Sequence, residues 1–134
     1  MYRDVHAGHL KLLGKQHGDT LGAANNYAST LRKLERFEEA KALLRETIPV
    51  ARRVLRENDD TTLRMRWNYA MALYFDAAAT LDDLREAVTT LEETARTARR
   101  VFGGTHPLTL GFERSLGNAR IILRDRETPS PGSV

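Results

Sequence analysis

The feature that most constrains this chain is that it repeats itself. The stretch Leu13-Gly14-Lys15-Gln16-His17-Gly18-Asp19-Thr20-Leu21, followed by Asn26-Tyr27-Ala28, recurs 42 residues on as Leu55 to Leu63 followed by Asn68-Tyr69-Ala70. The block Leu44 to Leu55 recurs 47 residues on as Leu91 to Phe102, with seven of its twelve positions identical. Gly103 to Leu110 then takes up the pattern of Gly14 to Leu21 again. Self-similarity at this period marks a stack of supersecondary units, each burying its apolar face against the next. The five extra residues of the second unit fall around Asp76 to Asp82, where a surface loop accepts an insertion at little cost.

Within a unit the apolar residues keep helical spacing. Leu21, Ala24, Tyr27, Ala28, Leu31 and Leu34 lie on one stripe, and Phe37, Ala40, Leu43, Leu44 and Ile48 on a second. Glu35-Arg36 between them reads as the hairpin. Pro107 suits a first helical turn, and Thr80-Leu81-Asp82-Asp83 reads as a capping box with aspartate in the place of glutamate. These signals predict helices near 2–13, 18–34, 37–56, 60–77, 81–102 and 107–125: an all-α solenoid. Residues 1–125 form one repeat domain, with pairs at about 18–56 and 60–102 flanked by single helices at 2–13 and 107–125. A disordered tail is expected over 126–134, from its Pro-Ser-Pro-Gly-Ser run. Pro49 stands where the second unit has Arg96, and an interior proline removes a helical hydrogen bond, so a kink is expected there.

Composition excludes several classes. With no cysteine there is no disulfide and no cysteine-rich zinc site, and the four histidines are scattered. No run approaches the roughly 18 apolar residues that span a bilayer, and the opening lacks a signal-peptide block, so a cytoplasmic protein without membrane contact is expected. Twenty-one basic against 18 acidic side chains give a net charge of +3, a mixed surface rather than a nucleic-acid-binding excess. The paired arginines Arg52-Arg53 and Arg99-Arg100 read as a solvated outer face, with no aromatic residues interleaved for stacking on bases. His6 and His9 lack a third ligand, and His17, Asp59 and His106 share one register position that suits helix starts better than metal. No serine or acid sits beside a plausible base, so neither an enzyme nor a cofactor is expected.

The combination Leu13-Gly14, His17, Thr20-Leu21, Asn25-Asn26, Ala28, Leu31, Phe37-Glu38-Glu39-Ala40 and Leu44, with Gly103, His106-Pro107 and Thr109-Leu110 restarting it, resembles the 42-residue tetratricopeptide repeats of kinesin light chain and related proteins. The chain departs from that pattern in Glu35 for the turn glycine, and in His17-Gly18 and Asp59-Asp60 for histidine-proline. The resemblance implies a right-handed α-α superhelix of about six antiparallel helices that binds protein segments.

In such a stack the first helix of each pair lines the concave side. Its non-core stripes hold Gly22, Asn25, Asn26, Ser29, Arg32 and Lys33, then Arg64, Trp67, Asn68, Met71, Tyr74 and Phe75, and in the third unit Gly111, Arg114, Ser115, Asn118, Ile121 and Ile122. These stripes carry bases and no acid. Asparagine can donate to and accept from a peptide backbone, and arginine grips a carboxylate with a two-pronged donor. The resemblance points the same way, because grooves of that family take short acidic or aromatic segments. The expected site is therefore a peptide groove formed by Asn25, Asn26, Ser29, Arg32, Lys33, Arg64, Trp67, Asn68, Met71, Arg114 and Asn118, taking an acidic protein segment. Three bland readings stand beside it. Trp67 and Met71 can pack against the next helix, the asparagines can bond repeat to repeat, and the apolar ends can self-associate or continue a longer array. Nucleic-acid binding is the reading the composition disfavours most.

Overall fold

The computed structural model describes residues 14–128. Within them the chain is helical, with α1 Gly14–Lys33, α2 Phe37–Val54, α3 Asp60–Tyr74, α4 Leu81–Phe102 and α5 Pro107–Glu127, and no strand. The helix expected over 2–13, including His6 and His9, lies outside the described residues.

Local chemistry sets the ends. Asp59 caps α3 by accepting from the Thr61 amide at 2.8 Å, and His106 caps α5 with Nδ1 accepting from the Leu108 amide at 3.0 Å, ahead of Pro107. Two of the three register-equivalent positions are thus helix caps. The third, His17, falls inside α1, which begins four residues before the expected start at 18. Gly18 stands where a proline would push the preceding residue out of the helical region, so nothing stops the helix from running through. Thr80 and Asp83 form the expected capping box, each side chain accepting from the other's amide at 3.0 Å.

The first hairpin closes in a Schellman arrangement. The Arg36 amide donates to the Leu31 carbonyl at 2.8 Å and the Glu35 amide to the Arg32 carbonyl at 2.9 Å. Glu35 occupies the left-handed position with φ 63°, a conformation that favours glycine. The second hairpin is longer, as the insertion predicted, but α3 stops at Tyr74 rather than 77. Asp76 turns the chain by accepting from the Ala78 amide at 2.9 Å, and Arg126 of α5 donates to the carbonyls of Ala79 and Ala77 at 2.7 and 3.1 Å. That last role holds α5 in helix to Glu127, two residues into the expected tail; the remainder, from Pro129, lies outside the described residues. α2 continues through Pro49 to Val54, with acids in its first turn and Arg52 and Arg53 in its last complementing the helix dipole.

Each helix packs on the next in sequence, and the first helices of successive units also touch, α1 on α3 and α3 on α5. Alanines with no exposed surface, among them Ala28, Ala51, Ala70, Ala87, Ala98 and Ala119, let the backbones approach, while Leu44, Leu63, Leu73, Leu84, Leu91 and Phe112 fill the spaces between. The helix α3 sits at the centre, covered by α1, α2, α4 and α5.

Candidate peptide groove

The central helix is buried almost all round. Past its opening residues Asp60 and Thr61, the side chains that α3 leaves uncovered are Arg64, Trp67 and Met71, and Phe75 continues the line at its end. Spaced three, four and four apart, they form a stripe one residue wide along a single face. The stripe is apolar except at Arg64, whose Nε donates to Asp60 Oδ1 at 2.7 Å. Asp60 lies one turn before Arg64 on the same face, so the groove does hold an acid at one end; the stripe begins a turn earlier than the sequence reading placed it.

Two seams bind the first helices together, and both run through expected site residues. Asn68 is 4% exposed. Its Nδ2 donates to the Asn25 carbonyl and to Asn25 Oδ1, both at 3.1 Å, and its Oδ1 accepts from Arg32 Nε at 2.8 Å. One unit later, Trp67 Nε1 donates to Ser115 Oγ at 2.8 Å, and its ring packs at 47° on Phe112 with centroids 4.9 Å apart. These pairs occupy equivalent register positions, Asn25 with Trp67 and Asn68 with Ser115. The amide–amide bond of the first seam and the indole–hydroxyl bond of the second are one joint in two chemistries. Because the residue types change, comparing the repeats by identity does not reveal it; comparing them by position does.

These bonds divide the expected residues into two groups. Asn25 and Asn68 satisfy each other across the first seam, and the indole nitrogen of Trp67 is satisfied by Ser115 across the second, as buried polar groups must be. Arg32 is half-buried, fixed by Asn68 through Nε, with its guanidinium 5.8 Å above the Phe75 ring, which is 48% exposed. Burial holds the Arg32 pKa below its ordinary value, with Tyr74 opposing the shift. Among the described residues no carboxylate lies within ion-pair distance of Arg32, Lys33 or Arg114. Asn26, Lys33, Arg114 and Asn118 are exposed, and Ser29 and Met71 are half-buried. Tyr74, placed on the stripe by periodicity, is buried instead at 4% exposure, displaced from the open face by Phe75.

The groove is therefore an apolar floor of Trp67, Met71 and Phe75 with cations beside it on α1 and α5. Gly111 on α5 lets the floor and wall meet: a Cβ there would lie 2.4 Å from Trp67 Cη2. Among the described residues no cluster of three or more histidine, aspartate or glutamate side chains could hold a metal ion.

A family model of the tetratricopeptide repeat matches residues 20–59. The matched segment runs from the second turn of α1 through α2 to the cap of α3, so it covers most of one helix pair. Repeats of this type generally mediate protein–protein interactions. Neither the curated proteins nor the solved structures give a match.

Proposed function

We propose that the chain is a cytoplasmic, non-catalytic interaction scaffold, a right-handed solenoid of 42-residue, kinesin-light-chain-like tetratricopeptide repeats, whose concave groove binds a short acidic segment of another protein. One observation carries the reading. Beyond the Asp60–Arg64 pair the uncovered face of the central helix is an apolar strip, and among the described residues Arg32, Lys33 and Arg114 beside it have no carboxylate within ion-pair distance. An aromatic or aliphatic side chain of the ligand lies on Trp67, Met71 and Phe75. Its acidic neighbours meet Lys33 and the Arg32 guanidinium on one side and Arg114 on the other, where a two-pronged donor favours a carboxylate. Asn26, Ser29 and Asn118 remain to bond the ligand backbone. Asn25 and Asn68 act behind them, holding Arg32 in place, and so are assigned to positioning. Arg64 marks the end of the groove, where Asp60 already neutralises it.

The test is selection of random displayed peptides on the folded chain. Recovered sequences should combine aspartate or glutamate with an aromatic or large aliphatic residue. A consensus rich in lysine and arginine, or none at all, would remove the assignment.

A second reading, self-association or membership of a longer array, has its own support at the opposite edge. On α1, Tyr27 is 57% and Leu34 61% exposed, whereas Tyr69, the register equivalent of Tyr27, is 8% exposed beneath its neighbours. On the same helix pair a cleft of about 470 Å³ is lined by Leu21, Ala24, Leu43 and Val50 together with Thr20, Glu46 and Thr47. Light scattering decides between the readings, since an adaptor remains monomeric and an edge-to-edge assembly grows with concentration.

A further inference from the structure

The second helices of the two pairs, α2 and α4, are not among the packed helix pairs, and a cleft of about 280 Å³ opens between them on the face away from the groove. Arg45, Ile48 and Arg52 of α2 form one wall, Arg66 and Tyr69 of α3 the floor, and Glu86 of α4 the other wall.

The corresponding place one repeat later shows how such an interface closes when it is purely structural. There Arg99 meets Glu113 at 3.0 Å, and Glu92 meets Arg120 at 2.9 Å. A shift of 47 residues maps Arg52 onto Arg99, Arg66 onto Glu113 and Arg45 onto Glu92. At these three positions the later interface has two acids and one base, whereas the cleft has three arginines. Arg52 and Arg66 cannot pair with each other, and the carboxylate between them comes from the α2–α3 link: Glu57 accepts from Arg52 Nε and lies 3.8 Å from Arg66 Nη1. The hydrogen bond from Arg52 holds the Glu57 carboxyl below its ordinary pKa. Arg66 is pinned from the far side by Glu93 at 2.7 Å. Arg45 has no carboxylate within ion-pair distance among the described residues; its Nε donates to Tyr69 Oη at 3.2 Å, and that hydroxyl donates to Glu86 Oε2 at 2.8 Å. A tyrosine hydroxyl thus takes one donor of Arg45 and leaves the fork of its terminal nitrogens unused. Pro49, between Arg45 and Arg52, has no amide proton, so the Arg45 carbonyl one turn earlier loses its helical donor on the same side.

We propose that this outer cleft is a second binding site, one that takes a ligand carboxylate between Arg45 and Arg52 in place of Glu57. Glu57 is the resident competitor. It and Arg52 are both about half exposed, and an ion pair of that kind yields readily to a ligand that also engages Arg45. Glu86 and Glu93 on the opposite wall repel a second negative charge, which limits the site to one carboxylate at its centre and favours it over a phosphate dianion.

The experiment is calorimetric titration of the full chain at fixed ionic strength with sodium propionate, with glutamate blocked at both backbone ends, and with inorganic phosphate. Saturable binding of propionate identifies a free small acid as the ligand class, and binding of blocked glutamate alone identifies an acidic side chain of a partner. Arg45→Gln should abolish either. Glu57→Gln should tighten binding by up to about fivefold, the range of an exposed ion pair. Glu39→Gln, the same charge change at the remote Arg36 pair, should leave it unchanged. Equal effects of the two glutamate variants, tighter binding of phosphate than of either carboxylate, or no saturable response from any probe would overturn the proposal.

Discussion

A methyl group at position 111 has no room. Built on Gly111, it would lie 2.4, 2.9 and 3.3 Å from Cη2, Cζ2 and Cζ3 of Trp67, all below ordinary van der Waals separation. The indole cannot swing aside freely, because Nε1 is bonded to Ser115 and the ring rests on Phe112. Overpacking of this kind costs about 1–3 kcal/mol. Against it stands the gain of about 1 kcal/mol from replacing an interior helical glycine with alanine. The balance for Gly111→Ala is a loss of up to about 2 kcal/mol, where helix propensity alone predicts a gain. Urea denaturation followed by circular dichroism measures it. In a Trp67→Phe background the contacting atoms are gone, and the same substitution should then stabilise by about 1 kcal/mol. Trp67 is the sole tryptophan, so its emission reports the displacement directly and should move to longer wavelength in Gly111→Ala. If Gly111→Ala stabilises the otherwise unaltered chain by the full propensity gain, the seam between α3 and α5 is not packed as described.

Other substitutions probe other joints. Glu35→Gly removes the strain of a left-handed glutamate and should raise stability by about 1 kcal/mol, read as an upward shift in Tm. Asn68→Leu strips partners from Asn25 and Arg32 together and should cost about 1–3 kcal/mol in urea denaturation, whereas Asn118→Leu, on the exposed face of α5, should change stability little. Acid should weaken the start of α4. The Asp83 carboxyl is held below its ordinary value of 3.8 chiefly by the hydrogen bond from the Thr80 amide, so its stabilisation is complete above that value and is lost as pH falls through the lower folded-state pKa. Asp83→Asn should flatten that part of the stability–pH curve, and an unchanged slope would show that the capping box does not hold in solution.

Much of the helical order could be read from the chain because the signals are local and repeated. The capping box at Thr80, the cap at His106 and the lengthened second hairpin each follow from a few neighbouring residues. The early start of α1 was not legible in the same way. The register of the repeat pointed to Gly18, but glycine permits a helix that the proline of the related pattern forbids. The groove was legible in outline and not in detail. Periodicity places Asn68 and Met71 on one stripe, yet the approach of α1 buries the first and leaves the second half-open, and that distance is a property of three helices at once. The cleft between α2 and α4 is still less local. Only the pairing of Arg99 with Glu113 shows that Arg52 and Arg66 depart from the expected arrangement.

The central claim, an acidic segment bound along α1, α3 and α5, is tested most directly by titrating a selected acidic–aromatic peptide into the chain while following Trp67 emission. The account predicts a saturable change, weakened at least about tenfold by the double reversal Lys33→Glu and Arg114→Glu and progressively weakened by salt. Binding that survives both the charge reversal and high salt, or leaves the Trp67 emission unaltered, would contradict it.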